Sequence, residues 1–106
     1  MSLRGVVDAD EMVAGLVVFT VYARSDLGVC SRVLQVLALR QARVECFVAD
    51  CTTFDHTLVR GLTDVSGDVM RLSVVVSIDG DSELDQLTKY LNRVVDVYKV
   101  EHDFRI

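Results

Sequence analysis

The stretch that decides the fold is LVVFTVYARSDLGVCSRVLQVLALRQ, residues 16–41 of a 106-residue chain. Its first eight residues are mostly β-branched or aromatic and include no Gly or Pro, which is typical of a strand buried on both faces. After a polar turn at residues 25–28, apolar residues recur every three or four positions, which predicts a helix that lays one side on a sheet. They are Val29, Cys30, Val33, Leu34, Val36 and Leu37. The stretch therefore predicts a strand, a turn, and a helix that ends at residues 40–42.

The junction between this strand and helix is a candidate site for a small anion. The first backbone amides of a helix have no partner within the helix, and the helix dipole favours a carboxylate or phosphate there. Gly28 has no Cβ, so a ligand or a second backbone can approach it closely. Alternatively, Asp26 is a helix cap and Gly28 an ordinary turn residue. The residues alone leave both interpretations open.

Size and composition predict one acidic, folded domain. A chain of this length suits a single core, and its 51% hydrophobic residues and lack of proline argue against disorder. The net charge of −5 argues against nucleic-acid and anionic-membrane partners, because both require a basic surface. The sequence shows neither a signal peptide nor an apolar run long enough for a membrane span. We therefore expect a cytoplasmic protein with no nucleic-acid or membrane partner.

Residues 43–50 predict the second strand, because polar and apolar residues alternate along most of it. Val44, Cys46 and Val48 share one face, which we expect to pack against a helix. Phe47 then lies on the opposite face.

Three more elements follow. Residues 71–78 predict a strand, and residues 94–100 predict the last strand. A helix is expected to begin at Ser82, which forms a capping box with the acidic residue three positions later. Residues 102–106 are expected to be a tail. The apolar stripe of the second helix is Leu84, Leu87, Leu91 and Val94. Residues 51–70, between the second and third strands, are long for a hairpin connection, and their pattern does not decide between a strand and a short helix.

The predicted order is strand, helix, strand, strand, helix, strand, which is a split pair of βαβ units. Such a chain closes into an α+β, ferredoxin-like βαββαβ fold, with a four-stranded antiparallel sheet and two helices on one face. We expect residues 1–14 to be a leader and residues 15–106 to be the domain. The other face of the sheet is expected to be apolar enough to fit a partner. Its expected aromatic side chains are Tyr22 or Phe19, Phe47 and Tyr98.

Catalytic and metal sites are not favoured by the residues. Cys30 and His56 are the candidates for a small enzyme, but Cys30 falls on the apolar stripe and is better interpreted as a core residue. The three cysteines show no zinc-binding spacing, so no metal or cofactor is expected. RNA-binding modules and acylphosphatases share the topology, but this chain has no basic aromatic motif, and Asp26 lies where an anion would bind.

Two motifs resemble a known family. Residues 24–33, RSDLGVCSRV, resemble the turn and helix of ACT domains. Residues 86–100, QLTKYLNRVVDVYKV, resemble the end of the ACT domain in regulatory (small) subunits of acetolactate synthase. The resemblance covers about residues 16–100. It implies the βαββαβ fold, with two or more copies joined edge to edge into a larger sheet.

The resemblance implies an amino-acid sensor that is not an enzyme. In the small subunits, valine or another branched-chain amino acid lies at the interface between two domains, beside the turn that contains the glycine. Carried over by position, the implied ligand-binding residues are Ser25, Asp26, Leu27, Gly28, Val29 and Arg43. The implied partners are a second copy of the chain, a small amino acid, and the catalytic subunit of a biosynthetic enzyme under allosteric control.

Ser25 and Arg43 depart from the family, which has asparagine at both positions. The alternative is therefore a structural domain for dimerisation or protein interaction that has lost its ligand. A small enzyme based on Cys30 or His56 is a third hypothesis.

Overall fold

The structure, a computed structural model, describes residues 15–52 and 55–105. The expected leader, residues 1–14, lies outside the described residues. The described elements are β1 (Gly15–Arg24), α1 (Leu27–Leu39), β2 (Arg43–Asp50), a single 3-10 turn (His56–Leu58), β3 (Val69–Ile78), α2 (Asp81–Asn92) and β4 (Val97–Arg105). None of the helices in this part of the chain is long and apolar enough to cross a membrane.

The four strands form one antiparallel sheet in the order β2-β3-β1-β4. β1 is central, and it pairs with β3 along its whole length, from Gly15 opposite Ile78 to Arg24 opposite Val69. The predicted βαββαβ fold is thereby confirmed.

The main core lies between the sheet and both helices. Alternate residues of β1, from Val17 through Phe19 and Val21, are fully buried in it. The predicted apolar stripe is confirmed, because Leu84, Leu87 and Leu91 of α2 and Val94, two residues after its end, are all buried in the same core. Phe19 therefore faces the helices, and the expectation that it could lie on the other face is wrong.

From Cys46 onwards, the faces of β2 are the reverse of those predicted. Phe47 packs partly buried against the main core and Val48 is exposed, whereas Val44 lies opposite the core residue Val76 and keeps its predicted face, although it is 39% exposed. The register of β2 against β3 shifts between Val44 and Cys46. One additional residue at such a bulge turns every following side chain to the opposite face, so simple alternation fails here.

The start of α2 and the extent of β4 also differ from the prediction. Gly80, rather than Ser82, is the N-cap of α2, and the Glu83 carboxylate accepts a hydrogen bond from the Asp79 amide at 2.8 Å. The expected tail is instead part of β4, with Arg105 opposite Leu16. β1 is ten residues long and pairs with β3 on one side. Its backbone N–H and C=O groups on the other side also require hydrogen-bond partners, and the extended β4 supplies them.

The connecting loop between β2 and β3, described at residues 51–52 and 55–68, covers part of the other face of the sheet. Leu62 is fully buried there against Tyr22 and Val69, with Val59 and Val65 packed around them. The loop is fixed to β4 by Lys99, whose Nζ donates to the Arg60 carbonyl at 2.5 Å. Of the aromatic residues expected on this face, Tyr22 is thus covered by the loop, while Tyr98 is 37% exposed.

Candidate ligand site at the first helix

The turn between β1 and α1 is organised by Asp26. Its backbone is extended, and its Oδ1 accepts a hydrogen bond from the Gly28 amide at 2.6 Å. Its carbonyl oxygen accepts from the amides of Val29 and Cys30, both at 3.1 Å. Asp26 is therefore a helix cap, as one of the two interpretations predicted, and three of the amides at the start of α1 donate to it.

Two neighbouring segments hold this turn in place. The Arg24 guanidinium lies 3.4 Å from the Asp26 carboxylate and 3.0 Å from that of Asp96, in the loop before β4. The Arg24 amide also donates to the Asp96 carbonyl at 2.9 Å, and the Ser25 amide donates to the Asp68 carbonyl of the connecting loop at 3.0 Å. The result is a compact cluster with one cation between two carboxylates.

Gly28 leaves room for the Asp26 carboxylate to cap the helix. A Cβ at this position would lie 2.9 Å from Asp26 Oδ1, closer than real Cβ contacts, so a larger residue would displace the carboxylate. The neighbouring Leu27 is 82% exposed, whereas Val29 is buried in the main core. The turn thus presents an apolar side chain beside a charged cluster.

Arg43 lies at the opposite end of the sheet from this turn. It pairs with Ser77, whereas Arg24 pairs with Val69, and these two β3 residues are eight positions, or about 27 Å, apart. Arg43 is held by Asp79, with Nη2 to Oδ1 at 2.8 Å and Nη1 to Oδ2 at 3.4 Å. This hydrogen bonding lowers the pKa of Asp79. One chain therefore brings Ser25, Asp26, Leu27, Gly28 and Val29 together but does not add Arg43 to them.

Cys30 and His56, the two residues of the enzyme hypothesis, lie in different surroundings. Cys30 is buried, and burial, followed by the nearby Cys51, raises the pKa of its thiol, which disfavours a nucleophilic thiolate. His56 is partly buried, and its Nε2 lies 2.8 Å from the Val65 carbonyl oxygen. Within residues 15–52 and 55–105, no three His, Cys, Asp or Glu residues lie together as a metal site would require.

A cavity of about 410 Å³ beside the turn was not anticipated from the sequence. Its lining comprises Cys51, Thr52, Asp55, His56, Gly67, Asp68 and Val69. It adjoins the turn through the hydrogen bond between Ser25 and Asp68. The loop residues that form this cavity show no periodic pattern. Their polar composition was therefore the only feature of the sequence that could have indicated it.

None of the protein-family models searched matches this chain. In sequence, the chain is 33% identical over 85 residues to the acetolactate synthase small subunit of Bacillus subtilis (strain 168), and the match covers 80% of this chain. The chain spans only 41% of the length of that relative.

Solved structures share the fold at low sequence identity. The crystal structure of the ACT domain from GTP pyrophosphokinase of Chlorobium tepidum aligns with a TM-score of 0.64 and 13% identity, over 85% of this chain and 99% of that chain. The solution structure of the C-terminal domain of the MgtC protein from Mycobacterium tuberculosis aligns with a TM-score of 0.57 and 14% identity, over 86% of this chain and 87% of that chain. Taken together, the sequence match and the shared fold show that this chain is an ACT domain.

Proposed function

We propose that this chain is a non-catalytic regulatory domain that binds an amino acid and acts on acetolactate synthase, as its relative's name implies for that protein. The observation that carries the proposal is the 33% identity to the small subunit over 85 residues, which include the turn at α1. The ligand would be a branched-chain amino acid such as valine. Its carboxylate would lie at the start of α1, beside Gly28 and the exposed Leu27.

The proposed site requires two copies of the chain. Since Arg43 and the turn lie about 27 Å apart along one sheet, only the Arg43 of a second copy could reach a ligand held at the turn. We therefore propose a homodimer, in which each ligand touches residues from both protomers. β2 and β4 are the two outer strands of the sheet, and their edges are available for such pairing.

Calorimetric titration of the full chain with valine, leucine and isoleucine tests this proposal. We expect binding heat with at least one of them, and we expect Gly28→Asp to abolish it, because the new carboxylate would displace Asp26 and repel the ligand. Ser31→Asp is a matched control, since it adds the same charge at an exposed position of α1. Absence of heat with all twenty amino acids would refute sensing, and unchanged affinity in Gly28→Asp would refute the site.

The second candidate function is a dimerisation domain without a ligand, and the Asp26 cap is the observation that favours it. The Asp26 carboxylate already occupies the position at the Gly28 amide that a ligand carboxylate would take. Asp26→Ala distinguishes the two functions. If the native chain is a dimer by light scattering and only Asp26→Ala binds an amino acid, the native chain is a structural domain whose site is filled by its own side chain.

A further inference from the structure

A groove lies between α1 and the end of α2, with the two residues that follow its C-cap. The groove has a volume of about 320 Å³. Its floor is apolar and consists of Val36, Leu39, Val94 and Val95. Two of these are among the most exposed large apolar residues in the described chain, Leu39 at 81% and Val95 at 67%. Apolar side chains gathered in a groove mark an interaction surface more strongly than scattered ones do.

Three arginines lie at or beside this apolar floor. Arg32 and Arg93 line the groove, and Arg40, the C-cap of α1, lies over Tyr90, which also lines it. In the described part of the chain, no carboxylate lies within ion-pair distance of any of the three, whereas Arg24 and Arg43 each pair with an aspartate. On a chain of net charge −5, the groove is therefore a local positive region.

Two of the three arginines, Arg40 and Arg93, are held in position by an aromatic ring. The Arg40 guanidinium lies 4.2 Å from the centre of the Tyr90 ring, and that of Arg93 lies 5.5 Å from it. Arg40 also donates to Gln86 Oε1 at 3.1 Å. Stacking on an aromatic ring limits the entropy that a side chain loses when a partner binds.

The charge pattern selects among possible occupants. A second copy of the chain seated by two-fold symmetry would place the arginine region of one groove near that of the other, which is unfavourable. Nucleic acid requires an extended basic surface, but this groove is small, its floor is apolar and the chain is acidic. An amphipathic helix with acidic flanks would lay its apolar residues on the floor and place its carboxylates near the arginines at the rim of the groove.

We propose that this groove docks an acidic amphipathic helix of a partner protein. The apolar residues of that helix, spaced three or four positions apart, lie on Leu39 and Val95, and its carboxylates face Arg32 and Arg93. The groove is on the helix layer, away from the sheet edges proposed for dimerisation. Arg32 Nη1 lies 3.7 Å from the position that a Cβ on Gly28 would take, so the groove and the turn meet at Arg32. The peptides are titrated without an amino acid, so either proposal can fail without the other.

A pair of synthetic peptides tests the proposal on the full chain. The first is an 18-residue helical peptide with leucines at every third or fourth position and glutamates on both flanks, and the second has lysines in place of the glutamates. We expect the acidic peptide to bind, measured by fluorescence anisotropy, and to shift the NMR signals of Leu39 and Val95. The lysine peptide is expected not to bind.

The double variant Arg32→Glu, Arg93→Glu provides the decisive comparison. We expect it to bind the acidic peptide roughly tenfold or more weakly and to gain affinity for the lysine peptide, since two rim charges are reversed. Lys89→Glu makes the same change at an exposed position of α2 outside the groove, and it should leave both affinities unchanged. Circular dichroism establishes that each variant is folded.

Several results would overturn the proposal. These are equal binding of both peptides, no binding of either, or shifts confined to residues outside the groove. Binding of a DNA duplex at Arg32 and Arg93 would assign the groove to nucleic acid instead. If replacing Asp10 and Glu11 by lysine shifts the Leu39 and Val95 signals in the absence of peptide, the occupant is the chain's own N-terminal segment.

Discussion

One face of the sheet packs against two helices, whereas part of the other face is covered by a loop. The helix side buries a continuous core that runs the length of β1 and includes Val17, Phe19 and Val21. The loop side buries a small cluster of Tyr22, Leu62 and its neighbours at one end of the sheet. The two sides therefore differ in the extent of buried apolar surface, which is the main source of folding free energy.

The difference indicates that the main core provides most of the stability of this domain, whereas the connecting loop can change with little effect on the sheet. The larger core holds the sheet and helices together as one cooperative unit. The smaller cluster holds the connecting loop, which in turn supports the turn at α1 through the hydrogen bond from Ser25 to Asp68. Loss of the cluster should thus disturb the candidate ligand site without unfolding the sheet.

The largest effect is expected for Phe19→Ala, which opens a cavity between the sheet and the helices. The loss should be about 3 to 5 kcal/mol of unfolding free energy, a large part of the total for a domain of this size. Urea denaturation followed by circular dichroism measures it. Val18→Ala, one residue away on the other face and only partly buried, is the control. An equal loss in both variants would contradict the assignment of Phe19 to the main core.

A smaller and local effect is expected for Leu62→Ala. The loss should be about 2 kcal/mol, at the low end for such a substitution, because a loop can relax around the missing side chain. Hydrogen exchange should quicken at the Ser25 amide but not at the amides that pair β1 with β3. Leu58→Ala is the control, since Leu58 is 82% exposed in the same loop. Faster exchange throughout the sheet would show that the two clusters are not separable.

The smallest effect is expected from the titration of Asp55 in the connecting loop. Its carboxylate accepts hydrogen bonds from the Thr57 hydroxyl and amide, and these lower its pKa. A lowered folded-state pKa stabilises the fold above the unfolded value of about 3.9, and this contribution is lost as the pH falls through the folded value. The melting temperatures of the native chain and Asp55→Asn should therefore converge below about pH 4. A difference that stays constant down to about pH 2 would contradict the assignment.

The elements that sequence reasoning placed correctly are those with a regular period. The continuous apolar run of β1 and the three-to-four spacing of α1 and α2 extend over whole elements, and such patterns survive small errors in boundary. The Asp26 cap was also foreseeable, because aspartate before an apolar helical run is a common start signal. These features depend on neighbours in sequence.

Sequence reasoning failed where a residue's position depends on distant strands. The bulge after Val44 reversed the faces of the rest of β2, and the pairing of residues 102–105 with β1 converted an expected tail into a strand. The covering of Tyr22 by Leu62 had no periodic signal at all. The separation of Arg43 from the turn follows only from strand register, so a site list carried over by position could not reveal it.

The amino-acid sequence by itself determined the order of the elements, the buried stripe of each helix apart from Leu34, which is 44% exposed, and the cap that starts α1, because these depend on local periodicity and on hydrogen bonds within a few residues. Only the tertiary structure decided which side of β2 faces the core, how the connecting loop covers the sheet, and that Arg43 and the turn lie at opposite ends. Those outcomes depend on strand register and on contacts between residues far apart in the chain, and a local pattern carries no record of either.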